Sequence, residues 1–133
     1  MPDFPTITAM TTGALVILQV VLSMRTSFAR IEHKQSLGDG GNPDLIARSR
    51  AHGNLSESAP IILIMFGLLE VSGANSFGVA LLAIVFIVGR VLHPIGMSMK
   101  KTSNLLRLLG AMSANIIGVL GGAWLLLVAA QNI

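Results

Sequence analysis

The sequence predicts an all-α integral membrane protein, a bundle of four transmembrane helices, and three observations predict it. The 133-residue chain is 53% hydrophobic and only 11% charged, with a mean hydropathy of +0.76, far from the balance of an ordinary soluble domain. Four apolar stretches recur along it, set against a bilayer core that takes about 20 helical residues to cross. All nine Lys and Arg residues gather around two of the three connections. If the helices alternate in direction, every cation lies on one membrane face.

The first stretch, Ile7 to Met24, is 18 residues without a charge. Its N-terminal flank carries Asp3 and no Lys or Arg, so it lacks the basic region of a secretory signal and is expected to stay as a permanent helix over 5–28. Gly38, Asp39, Gly40, Gly41, Asn42 and Pro43 follow as turn chemistry without phosphate-loop spacing. Asn42 is the expected N-cap of the next helix, Pro43 its first residue and Asp44 a favourable first-turn acid. That helix, 43–72, is about 45 Å long at 1.5 Å per residue, against a hydrocarbon core of about 30 Å. About ten residues must therefore project beyond the basic face. Glu70 is expected to be an interfacial carboxylate at the far end. Phe77 to Gly89 is a third apolar run, closed by Arg90 and His93, within a helix over 76–97. Leu108 to Ala130 is the fourth, 23 residues long, in a helix over 104–130. Gly110, Ala114, Gly118 and Gly122 form a small-residue stripe along it that lets another backbone approach, and Asn115 is expected to make an interhelical hydrogen bond.

Orientation follows from the cations. Arg25, Arg30, Lys34, Arg48 and Arg50 surround the first connection; Arg90, Lys100, Lys101 and Arg107 surround the third; Gly73 to Ser76 and both termini carry none. Connections 29–42 and 98–103 are thereby cytoplasmic and the termini lie on the opposite side. The net charge of +3 is a property of that face, where Lys34, Lys100 and Lys101 serve topology and contact with anionic lipid headgroups. Nucleic acid is disfavoured, because basic and aromatic residues are not interleaved and Tyr is absent. Cys is absent too, and His33, His52 and His93 have no metal-ligand spacing. A metal site is not expected, and any thiol chemistry must use a thiol brought by a ligand.

The functional signal is Arg50-x-x-x-Asn54-x-x-Glu57-x-x-Pro60. At 3.6 residues per turn its three polar members fall within about 60° of one another on one helix face. A cation, an amide and a carboxylate aligned where a helix enters lipid are costly to keep and point to a site. Together they suit a zwitterion: a carboxylate on the Arg50 fork, an ammonium on Glu57 and a backbone amide on Asn54. Arg50 and Glu57 stand about 10.5 Å apart along the axis, so Glu57 is expected to find its partner on another helix, another subunit or a ligand. The alternative for the whole row is a network that only holds the bundle together. His52 lies on the far side of the helix from Asn54 and is left out of the site.

The run Arg50-Ala51-His52-Gly53-Asn54-Leu55-Ser56-Glu57-Ser58-Ala59-Pro60 resembles the second-helix signature of the MAPEG superfamily, the membrane-associated proteins in eicosanoid and glutathione metabolism. Length, four spans and external termini match as well. The resemblance implies a homotrimer of four-helix subunits with glutathione, as cosubstrate, in a cytoplasm-facing pocket between neighbours. It implies that Arg50, Asn54 and Glu57 contact glutathione, that Arg25 reaches the same ligand, and that Arg90 and His93 match the Arg-x-x-aromatic stretch of the third helix. Arg107 resembles the arginine that stabilises the thiolate. His93 stands where eukaryotic members have a tyrosine, Met97 where a second is usual, and Ser58 where an aromatic follows the glutamate, departures that fit a bacterial branch in an inner membrane. His93 either donates a hydrogen bond or packs.

The implied activity is that of a membrane-bound glutathione-dependent transferase or peroxidase, in which a lipophilic electrophile arrives from the bilayer. The competing expectation is a noncatalytic membrane protein of the same fold that binds an anionic metabolite or lipid headgroup. A small transporter is less favoured, since the charges cluster at one face and no broken helices or repeat pair are apparent.

Overall fold

In a computed structural model, which describes residues 4–99 and 104–132, the chain forms four helices. They are α1 (Thr6–Glu32), α2 (Pro43–Val71), α3 (Ser76–Met97) and α4 (Leu105–Ala130). Each is long and apolar enough to cross a membrane. Lys100 and Lys101 lie outside the described residues.

Three of the four helices begin on an asparagine, whose short amide oxygen takes an otherwise orphaned backbone N–H. Asn42 accepts from Asp44 N and Leu45 N at 3.0 and 3.2 Å, Asn75 from Gly78 N at 2.9 Å and Asn104 from Arg107 N at 2.9 Å. The start of α1, after Pro5, has no side-chain cap of its own. Glu70, at the end of α2, supplies it: its carboxylate accepts from Ile7 N and Thr8 N, both at 2.8 Å, and from the Thr8 hydroxyl at 2.7 Å. The expected interfacial carboxylate is therefore a cap that ties two helix ends together, favoured by the positive end of the α1 dipole. At its other end α1 continues to Glu32, past the expected end at 28. Arg30 donates to the carbonyl of Gly38 at 2.6 Å and folds the connection back on the helix, while His33 N extends the ladder to Ala29 O.

The core runs down the middle of the bundle. Leu15 and Leu22 from α1, Leu55, Ile62, Phe66 and Leu69 from α2, Val79 and Phe86 from α3, and Ile117 from α4 are all buried. Phe66 and Phe86 meet edge to face with centroids 6.3 Å apart, the arrangement their ring quadrupoles favour. The outer surface is just as apolar: Ile17, Val20, Ile61, Ile64, Ile84, Leu120 and Leu126 are exposed. Lipid tails are as apolar as leucine, so close packing and polar contacts, more than water exclusion, must hold such helices together.

The closest approach is between α3 and α4, and glycines on both permit it. A Cβ on Gly110 would sit 2.6 Å from His93 Cβ, and one on Gly96 would collide with the backbone nitrogen of Arg107. The expected stripe on α4 is thereby corrected. Gly110 is tight, but a Cβ on Gly118 would have only ordinary contact with Ile62 and one on Gly122 would meet nothing within 4 Å. Of the stripe's glycines only Gly110 sits at a crossing tight enough to exclude a side chain, while Ala114 packs against the core. Asn115 is likewise exposed and has no hydrogen-bond partner among the described residues, so the expected interhelical bond is not made within one chain.

Candidate functional site

The basic end of the bundle opens into a cavity of about 590 Å³ between the start of α2, the end of α3 and the start of α4. Arg50 and Arg107 both line it, with Asp44, Gly96, Met97 and Ser98 among the remaining walls. Each cation is set there by its own helix. Arg50 follows from the two turns of α2 that project past the apolar stretch. Arg107 is the third residue of α4, and Asn104 determines where that helix begins. Asn104 accepts from Arg107 N and donates to Gly96 O at 2.8 Å, so one side chain fixes the α4 start and pins it to the end of α3. Gly96 completes the arrangement, since the Arg107 backbone occupies the space a side chain there would need.

Arg25 approaches from α1. Its Nη2 donates to the Ser98 hydroxyl at 3.1 Å, and Ser98 is part of the cavity wall, so a third cation reaches the same end of the molecule. Asp44 is held at the rim, ion-paired to Arg48 at 2.9 Å and within hydrogen-bond distance of His33 Nε2 at 3.2 Å. The carboxylate there is engaged on its own side of the rim.

Along α2 the structure corrects one expectation. Arg50 Nη1 lies 3.7 Å from Glu57 Oε1, with the two side chains 62% and 63% exposed. Two turns bring positions 50 and 57 nearly back into line, and two long side chains reaching toward each other span the rise of about 10.5 Å. Glu57 thus has a partner on its own helix. An ion pair this exposed contributes only about 0–1 kcal/mol, so a ligand bearing a carboxylate and an ammonium can separate the two at small cost.

Asn54, between them, is half-buried and engaged from behind. Its Oδ1 accepts from Arg90 Nη1 at 2.6 Å. Arg90 is 2% exposed and donates further to Ser58 Oγ at 3.2 Å, Ser113 Oγ at 3.4 Å and the carbonyl of Gly110, while its guanidinium carbon sits 5.4 Å from the centre of the Phe86 ring. His93, 6% exposed, packs at the α3–α4 crossing against Gly110. Arg90 and His93 therefore lie behind the Arg50-Asn54-Glu57 row, toward the bundle interior. His52 turns to α1, 2.9 Å from Gln19 Nε2, on the side away from Asn54.

Four helices long and apolar enough to span a membrane, with an Arg-Asn-Glu row on the second, agree with the wider comparison: the model described as the MAPEG family matches residues 8–129. The chain belongs to the MAPEG family. This MAPEG-family chain is 32% identical over 91 residues to the inner membrane protein YecN of Escherichia coli strain K12, and equally to YecN of strain O6:H1, across 65% of its own length and 70% of theirs. No solved structure matches it.

Three side chains around the candidate site of this MAPEG-family chain escaped the sequence pattern. Asn104 was legible in principle as a polar residue just ahead of an apolar run, the mark of an N-cap. Ser98 and Ser113 carried no such signal, since a serine beside a helix end or within a span has no spacing that identifies its partner.

Proposed function

We propose that this protein is a homotrimeric inner-membrane enzyme that binds glutathione at its basic end and activates the thiol for attack on a lipophilic electrophile or hydroperoxide. The observation that carries it is the convergence of Arg50 and Arg107, from different helices, on one cavity. The cavity falls in the range of about 300–1,000 Å³ that holds small molecules. Its two guanidinium groups suit an anionic peptide, with Arg25 reaching its wall. Inner-membrane residence is supported by the YecN relatives, which are inner membrane proteins, and cytoplasmic placement of the basic end by the distribution of Lys and Arg.

Arg50 takes a glutathione carboxylate, Glu57 its ammonium, and Asn54 an amide or carboxylate oxygen. Arg107 faces the sulfur. A free thiol has a pKa of about 8.5 and only its thiolate is nucleophilic. A guanidinium within a few ångströms favours the charged form, and a fall of about two units needs roughly 2.7 kcal/mol. The proton leaves to water at the open end of the cavity. The sulfur lone pair then bonds to the electrophile, whose leaving group departs with the displaced electrons. With a hydroperoxide, sulfur takes the terminal oxygen, the O–O bond breaks, the alkoxide takes a proton from water and leaves as an alcohol, and a second glutathione reduces the resulting sulfenic acid to the disulfide and water. Placement at the membrane surface lets a water-soluble thiol and a bilayer-dissolved partner meet. Arg90 and His93 support the row from behind.

The test is a glutathione titration of the purified, detergent-solubilised protein that follows thiolate absorbance in the ultraviolet. Wild type is expected to give a saturable signal and Arg107→Ala to lose it while still binding glutathione. Binding without thiolate in wild type favours the second function, a noncatalytic binder of anionic metabolites or headgroups, which the absence of Tyr from the chain supports.

A further inference from the structure

Arg90 is a cation enclosed by α2, α3 and α4 with no carboxylate partner among the described residues; its partners there are Asn54, Ser58, Ser113 and the Gly110 carbonyl. Part of its role is to clamp the three helices. Its bond to Asn54 does something more specific. A carboxamide has an accepting end and a donating end, and either end can face an ordinary polar neighbour. A guanidinium has donors only and no acceptor. Whatever faces Arg90 at 2.6 Å must therefore be the amide oxygen. The Asn54 Nδ2 hydrogens are then directed away from Arg90, and among the described residues nothing accepts from them.

We propose that Arg90 is a positioning residue that holds Asn54 as an obligate hydrogen-bond donor, so that the site requires a carbonyl or carboxylate oxygen of its ligand at that point. Its ligand class rests on the glutathione reading above; its effect on Asn54 does not. The site then reads a ligand in three steps along one helix face: an anion at Arg50, an acceptor at Asn54 and a cation at Glu57. A ligand offering a donor at the middle position would leave the Asn54 hydrogens unpaired, which is costly away from water. Arg90 thus enters specificity without touching the ligand.

The test uses the full chain in detergent micelles with ¹⁵N-labelled side-chain amides, the Asn54 pair being assigned by its loss in Asn54→Ala. Wild type is expected to show one Asn54 NH2 pair that shifts when glutathione is added. Arg90→Lys, still a donor only, keeps a single pair. Arg90→Gln, whose amide can present either end, splits or broadens the pair and weakens glutathione binding on the order of tenfold. In an Asn54→Ala background Arg90→Gln has no further effect on binding, a non-additivity that general loosening of the bundle does not produce. An unchanged Asn54 pair in Arg90→Gln, a split pair in Arg90→Lys, or a full Arg90 effect without Asn54 overturns the proposal. Should Arg90→Gln not fold, Asn54→Asp decides: it bonds to Arg90 but has no donors, so wild-type glutathione binding by that variant overturns the proposal. If wild type binds no glutathione, the proposed function fails, and the amide spectra of wild type and Arg90→Lys alone decide the role of Arg90.

Discussion

Single residues at the basic end divide by what each would cost the fold. Glu57 pairs with Arg50 at 3.7 Å in an exposed setting, where such a pair contributes about 0–1 kcal/mol. Glu57→Gln is expected to leave the melting temperature within about 2 °C of wild type and to weaken glutathione binding severalfold; unchanged binding would remove Glu57 from the site. Arg90 is the opposite case. Enclosed by three helices with four acceptors around it, it cannot be removed without leaving the Asn54 amide oxygen unpaired, at about 1–3 kcal/mol for a buried acceptor left without a partner. Ser58, Ser113 and the Gly110 carbonyl each keep another hydrogen bond. The sequence marks Arg50, Asn54 and Glu57 as neighbours because helical periodicity alone puts them on one face. It does not mark Arg90 as the group behind Asn54, because that contact joins α2 to α3 and depends on how the two helices cross.

Among the helices, α1 is the most dependent on another element. Its first turn has no cap within its own sequence, and Glu70 from the end of α2 takes two backbone N–H groups and one hydroxyl. Loss of a helix cap costs about 0.5–2 kcal/mol, so Glu70→Ala is expected to lower the thermal midpoint in detergent by several degrees and to free Ile7 and Thr8 amides for hydrogen exchange. If those amides stay as protected as in wild type, the cap is not what holds the α1 start. At the basic end Asn104 has the corresponding position on α4, with the added bond to Gly96 O. Turn chemistry announced the Asn42 cap from sequence, because Asn-Pro-Asp before an apolar run is a local signal. The Glu70 cap connects positions more than sixty residues apart, and no local signal encodes it.

For the whole molecule, the notable feature is that the outer surface is as apolar as the core over most of the bundle, as a lipid solvent demands. One exception is the groove between α2 and α4, where Ser58 and the exposed Asn115 share a wall with Ile61, Ile62 and Gly118. An amide facing lipid without a partner is costly, and burial against a second copy would remove that cost. The proposed trimer is therefore expected to depend on it. Native mass spectrometry from detergent should give three chains for wild type and a larger monomer fraction for Asn115→Asp, which adds a charge at the same place. A wild-type protein that is monomeric at all detergent concentrations would end the trimer proposal.

By itself the sequence determined that the chain is a four-span helical protein, which connections carry its cations, and that one face of the second helix bears an Arg-Asn-Glu row. Hydropathy, charge distribution and helical period are properties of the chain read in order, so they need no knowledge of what packs against what. Tertiary structure alone decided that Arg107 shares a cavity with Arg50, that Arg25 reaches Ser98, that Glu70 caps α1 and that Arg90 fixes the face Asn54 presents. Each is a contact between separate helices, set by how they cross, and at the α3–α4 crossing by the close approach that Gly96 and Gly110 allow.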